Sequence, residues 1–203
     1  MRIAPTLTFA LAFGLVSATA VPVRAHEAGD WLVRGGFHNI DPKSDNGDIV
    51  EVADDTMITF SILHMVTANW GLELLGALPF EHDISLANGP RVGSTKHLPP
   101  TFSVVYHPLP EAQFQPYLGL GVNVTLFFDE DTRGALAGSD LDLDNSVGAA
   151  GVVGIDVALG DGWFLNADVR YMDIETDAQL DGVELETVRI DPWAFGLSVA
   201  YRF

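Results

Sequence analysis

The chain contains no cysteine. Disulfides, thiolate metal sites and a lipid-attachment cysteine are therefore excluded. Lysine is nearly absent as well, occurring only at Lys43 and Lys96. Past residue 25, no stretch reaches the roughly 18 consecutive apolar residues that a membrane-crossing helix requires. Positive charge is scarce throughout. Without Arg2 and Arg24, 8 basic residues face 28 acidic ones, a net charge of −20. Nucleic acid is excluded as a partner, because phosphate contacts need a basic surface. The acidic balance also suits a surface kept soluble in a salty habitat.

What is present begins with an export signal. Arg2 precedes a mostly apolar run from Ile3 to about Val16, and small residues follow. Cleavage fits after Ala20 or after Ala25, and Ala25 is preferred because Val21-Pro22 would make a poor mature start. Residues 1–25 are thus expected to be a removed signal peptide and residues 26–203 a single domain. An exported chain with no spanning helix is either soluble in the periplasm or a β-barrel.

The end of the chain separates these two. From Trp193 to Phe203 every second residue is apolar: Trp193, Phe195, Leu197, Val199, Tyr201 and Phe203. Between them lie Ala194, Gly196, Ser198, Ala200 and Arg202. Strict period-two alternation predicts a strand with one apolar face. Aromatics at both ends of that face and aliphatics between them are what a lipid-facing strand needs, since amphipathic rings settle at the two interfaces.

Seven further strand-like runs precede it: 31–40, 57–66, 70–80, 101–107, 117–128, 147–159 and 163–174. The connections between the eight alternate long and short, with acidic residues crowding the long ones. That rhythm predicts an all-β, eight-stranded antiparallel up-and-down transmembrane β-barrel with both termini on the short-turn, periplasmic side. The predicted lipid face carries Phe60, Ile62, Leu72, Leu74, Leu78, Phe80, Phe102, Val104, Leu118, Leu120, Val122, Val153, Leu165 and Val169. Trp70 and Trp163 open strands just after short turns, where an inner aromatic girdle belongs. No charge falls on this face within the strand centres.

The opposite face points into the barrel. Near its base lie Arg34, Glu73, Asp156, Asn166, Asp168, Arg170 and Arg202, charges of both signs that are expected to pair as a plug. Higher up lie Met57, Leu75, Ala77, Phe127, Ala150, Val152, Met172, Ile174, Pro192 and Ala194. An interior of eight strands is either filled by side chains or holds one small ligand. The apolar upper set points to an apolar ligand site. Inward glycines (Gly119, Gly121, Gly148, Gly154, Gly196) leave space for it, or relieve strain in a tight barrel. Pro79, Pro99 and Pro100 flank one long connection and give no ladder hydrogen bond. They mark either a lateral exit into the membrane or ordinary strand ends.

Other chemistries find less support. His38, His64, His82, His97 and His107 show no Ser-His-acid spacing, so no catalysis is expected. Asp140-Leu141-Asp142-Leu143-Asp144 aligns three carboxylates but lacks the Asp-x-Asp-x-Asp-Gly calcium pattern, so it reads as a solvated loop and no metal is expected. No cofactor is expected either. A barrel that serves only as a scaffold, with acidic loops as receptor surface, remains the alternative to transport.

Taken together and in order, several stretches resemble the OmpW family of small outer-membrane barrels across the whole mature chain. They are His26-Glu27-Ala28-Gly29, Glu73-Leu74-Leu75 with Pro79-Phe80, and His97-Leu98-Pro99-Pro100-Thr101. Pro116-Tyr117 through Gly121, Phe127-Phe128-Asp129, Gly148-Ala149-Ala150-Gly151, Tyr171-Met172-Asp173-Ile174 and Asp191-Pro192-Trp193 follow. The resemblance implies an outer membrane of a Gram-negative bacterium, a narrow hydrophobic channel and uptake of small hydrophobic molecules. It also implies that Leu75 stands near the channel constriction. The terminal Tyr201-Arg202-Phe203 resembles the signal that barrel-assembly machinery reads, which makes that machinery and outer-membrane lipid the implied partners. Where many relatives place an aromatic before Tyr-Met-Asp, this chain has Arg170, which implies pairing with Glu73 or the Asp168 side and a firmer closure of the base.

Overall fold

A computed structural model of the chain describes residues 25–43, 50–86 and 89–203. Apart from Ala25, the expected signal peptide lies outside these residues. The strands in chain order are β1 (Trp31–Asp41), β2 (Val50–Val52), β3 (Asp55–Met65), β4 (Trp70–Ala77), β5 (Phe80–Leu86), β6 (Arg91–Leu98) and β7 (Thr101–Tyr106). Then come β8 (Phe114–Thr132), β9 (Leu141–Leu143), β10 (Ser146–Gly160), β11 (Trp163–Met172), β12 (Glu175–Leu180), β13 (Val183–Arg189) and β14 (Trp193–Arg202).

Eight of these close a barrel in the order β1-β3-β4-β7-β8-β10-β11-β14, with β14 returning to β1 and every pair antiparallel. Closure leaves no unpaired edge, which a hydrocarbon setting demands. The predicted alternation holds along the walls: in β11 and most of β14, every second residue is buried and its neighbours face outward. The outward belt is apolar, including Phe60, Leu74, Phe102, Leu120, Val153 and Leu197. Trp70 packs on Tyr106 at 4.7 Å and Trp163 on Tyr201 at 4.8 Å, forming ring pairs at the short-turn end.

The long connections are not simple loops. Within 81–97, expected as an open connection, β5 and β6 pair antiparallel. Residues 175–186 fall in the hairpin β12–β13, turned at Asp181-Gly182, where both residues have positive φ (52° and 76°). That geometry suits the type I′ turn that Asp-Gly favours. β6 joins the upper end of β8, pairing His97 with Phe127, and β9 pairs with β12. The barrel wall is thereby carried upward beyond the lipid belt. In β9 and at its two flanks the acidic residues Asp142, Asp140 and Asp144 face solvent, while Leu143 is buried and Leu141 half-buried.

Phe80 corrects the expected lipid face: it is 1% exposed and points inward. β4 stops at Ala77, and Leu78 and Pro79 are both exposed, so the alternation slips by one residue at the proline. Lacking an N–H, Pro79 cannot continue the ladder, and the chain restarts as β5 with its parity reversed.

The inward glycines do not leave room. A Cβ on Gly154 would collide with the Tyr117 ring, and one on Gly196 with the His38 ring. These glycines are the sockets into which large inward side chains of neighbouring strands fit.

Candidate functional site: an apolar cavity above a charged plug

The barrel interior is layered. At the base, Leu32, Leu63, Met65, Val105, Tyr117, Val152, Ala158, Phe164 and Ala200 pack together. Val152, expected in the upper lumen, belongs to this lower layer. Arg202 lies near the same end, 5.5 Å above the Phe164 ring, with Asp30 at 3.7 Å.

Above the base, charges of both signs meet inside the barrel. Arg34 bonds Glu73 at 2.9 Å and Asp156 at 2.7 Å, while Arg170 reaches Glu73 and Asp168, each at 2.9 Å. Asn166 bonds both Asp156 and the Tyr117 hydroxyl. Glu73, Arg34, Asp156, Asp168 and Arg170 are all buried. The inward charges named from the sequence therefore meet, Arg202 excepted. Buried charges persist when each is paired and bonded, as these are.

The sequence did not disclose one partner of this layer. His38 bonds Thr59 at 2.7 Å and Asp168 at 3.0 Å, a hydroxyl–imidazole–carboxylate line drawn from three strands. A void of about 10 Å³ bordered by His38, Thr59, Leu75, Ala77, Phe80 and Met172 adjoins it. That is room for about one water molecule, far from space for a substrate.

The expected apolar set lies above the plug. Phe127, Met172 and Ile174 are buried in one cluster with Ile40, Phe80 and Ala194, and Met57 and Ala77 pack against it. Pro192 is buried too, its carbonyl accepting the Met172 N–H at 3.3 Å. This cluster is the packed floor of the space above it.

That space is a cavity of about 260 Å³ whose wall is almost wholly apolar. Of the residues proposed from sequence, only Phe127 lines it. The rest of its wall comes from the upper hairpins: Ile84, Val92, Leu143, Ala178, Val188 and Ile190, with Val52, Leu136, Leu141, Leu180 and Leu185 around them. A period-two signal for these strands was present in 80–86 and 175–180, but acidic outer faces masked it. Thr95, Thr176, Glu186 and two histidines add polar groups to the wall. His97 and His82 stack at 4.7 Å, and Phe80 and Phe127 flank His97 at 5.4 and 5.8 Å. Burial, with His82 alongside, pulls the His97 pKa down to about 3, and burial lowers that of His82. Both histidines are therefore neutral at physiological pH, and Glu186 is the one carboxylate among the described lining residues.

The prolines sit at a break in the wall. The β4–β7 ladder ends at Leu75 opposite Thr101, and the β5–β6 ladder starts at Phe80 opposite His97. Between these pairs, 76–79 and 98–100 are not bonded to each other. Leu78 bonds back to Ile58, while the Pro99 and Pro100 carbonyls accept from Asn123 and Val124. Pro99 also borders the small void below the cavity. Tyr201 and Phe203 lie at the other end, with rings 4.9 Å apart.

A second group of polar residues, missed by the sequence reading, lies at the base. His26, His107 and Asp156 bring ligand-type atoms within 4.8 Å of one another. His26 comes from the segment before β1, which tucks under the barrel with its N–H on the Pro110 carbonyl.

Comparison with known proteins places this architecture. A sequence profile described as "OmpW family" matches residues 27–203. The chain is 40% identical to outer membrane protein W of Vibrio cholerae, over 93% of this chain and 95% of that protein. It is 31% identical to outer membrane protein AlkL of Ectopseudomonas oleovorans, over 88% and 84% respectively. Among solved structures, the outer membrane protein OprG of Pseudomonas aeruginosa superposes with a TM-score of 0.81 at 33% identity, over 89% of this chain and 99% of that one. With a closed eight-stranded wall, an apolar belt and relatives that are outer-membrane proteins of Gram-negative bacteria, this chain is an outer-membrane β-barrel and belongs to the OmpW family.

Proposed function

We propose that the barrel is a narrow passive conduit that takes small apolar molecules from outside the cell and releases them sideways into the membrane. The observation that carries this reading is the apolar cavity of about 260 Å³ standing above a buried, ion-paired layer. A solute entering the cavity loses its water shell, which favours entry at roughly 25 cal/mol per Å² of apolar surface removed from water. It gains no charge partner there, so nothing holds it against moving on into lipid of similar polarity.

The plug denies it the periplasmic route. The break between Leu75–Thr101 and Phe80–His97 offers the other one, through Ala77, Pro79, Pro99 and Pro100. Met57, Leu75, Phe127, Met172, Ile174 and Pro192 form the apolar floor from which the solute is turned towards that break. Export with removal of residues 1–25, and assembly through the terminal Tyr201 and Phe203, belong to the same proposal.

The test is flux of a radiolabelled apolar solute into proteoliposomes carrying the protein, beside empty liposomes and a polar solute of the same size. Transport predicts faster entry of the apolar solute alone. Equal entry with and without protein sinks it and favours a receptor scaffold whose acidic outer rim binds partners.

A further inference from the structure

Five buried polar atoms at the base of the barrel have no hydrogen-bond partner: both ring nitrogens of His26, both of His107 and Oε1 of Gln115. Unsatisfied buried groups are rare, and so many in one place require something to satisfy them, a water cluster or an ion. Their chemistry is selective. Imidazole nitrogens favour zinc, copper, nickel and iron, and two histidines with a carboxylate form a recurrent open metal site.

We propose that His26, His107 and Asp156 hold one divalent transition-metal ion at the periplasmic end of the barrel, with the amide oxygen of Gln115 as a fourth donor. The three ligand groups lie within 4.8 Å of one another, and each residue is 1% exposed or less. Gln115 stands directly across the β8–β10 ladder from Asp156 and is fully buried. The rings are already set for different approach directions, His26 and His107 lying edge to face with centroids 5.1 Å apart. Asp156 keeps capacity for a ligand. Arg34 takes Oδ2, which His107 Nε2 also faces at 3.5 Å, and Asn166 takes Oδ1, so Oδ1 keeps a lone pair for an ion.

The ion would tie the segment before β1 to the end of β7 and to β10, where His107 Nε2 already stands 3.5 Å from Asp156 Oδ2. Its role is a clasp over the base, separate from the conduit at the other end.

The experiment uses untagged protein purified from outer membranes, stripped with chelator and titrated with Zn²⁺ in a calorimeter. One Zn²⁺ per chain is expected. His107→Phe should weaken it by about a hundredfold or more, beyond the 10–100-fold typical of outer-shell changes. His82→Phe, at the far end, should leave it unchanged. Heat-modifiable gel mobility reports whether each variant is a folded barrel. Should His107→Phe fail to assemble, His26→Gln, outside the strands, carries the same expectation. Absence of saturable Zn²⁺ binding in the parent protein overturns the proposal in favour of buried water. Equal affinity in the parent and in the folded base variant overturns it too.

Discussion

Arg34 and Arg170 grip opposite oxygens of one buried carboxylate: each places a guanidinium nitrogen 2.9 Å from Glu73, Arg34 on Oε1 and Arg170 on Oε2. Their charges are tolerable inside the barrel only because Glu73, Asp156 and Asp168 answer them. Replacing Glu73 by Gln keeps the shape and removes the shared anion. Breaking such a pair typically costs about 3 to 5 kcal/mol. Urea unfolding of the refolded barrel should show a loss of that order, whereas Glu81→Gln on the exposed face of β5 should change stability by less than about 0.5 kcal/mol. A Glu73→Gln barrel as stable as the parent would mean that the plug is not held by these pairs.

The break in the wall makes a separate prediction. Ala77 and Pro99 border the same void of about 10 Å³ below the cavity. Ala77→Cys combined with Pro99→Cys, bridged by a short dithiol-reactive linker, should lower apolar-solute flux several-fold and recover when a cleavable linker is cut. Unchanged flux in the bridged barrel would eliminate this gap as the exit.

Acid should loosen the outer hairpins. The His97 pKa is lowered from near 6.5 to about 3 by burial and by His82. Below 6.5 the unfolded segment takes up a proton that the folded one refuses. The stabilisation is therefore complete above pH 6.5 and declines as pH falls towards 3, by about 2 kcal/mol at pH 5. Hydrogen exchange of β5 and β6 amides should accelerate between pH 7 and pH 5, and clearly less in His97→Phe. Identical pH dependence in the two proteins would contradict this assignment.

What the chain disclosed in advance follows from its physics. Barrel strands face lipid on one side, so Trp193, Phe195, Leu197 and Val199 alternate cleanly with Gly196 and Ser198, and the period is unmistakable. Arg34, Glu73, Asp156, Asp168 and Arg170 were legible as inward charges by parity alone. Their pairings were not, because Arg34 meets partners 39 and 122 residues away, and His38 meets Asp168 across 130. The upper hairpins escaped notice because their outer face is water. In β12 the buried positions are Thr176 and Ala178, too small and polar to stand out among Glu175, Asp177 and Gln179. The Asp181-Gly182 turn was the signal that could have revealed them. The cavity was therefore expected too low, among Leu75, Ala77 and Met172, which proved to surround only a water-sized gap.

The most direct measurement compares flux of a radiolabelled apolar solute into proteoliposomes for the parent protein, Ala178→Trp and Leu120→Trp. Ala178 lines the cavity, whereas Leu120 lies outside on the lipid belt. An indole at position 178 should take up most of the cavity and cut flux at least several-fold, with Leu120→Trp matching the parent. Full flux through a folded Ala178→Trp barrel would contradict the conclusion that apolar solutes pass through this cavity.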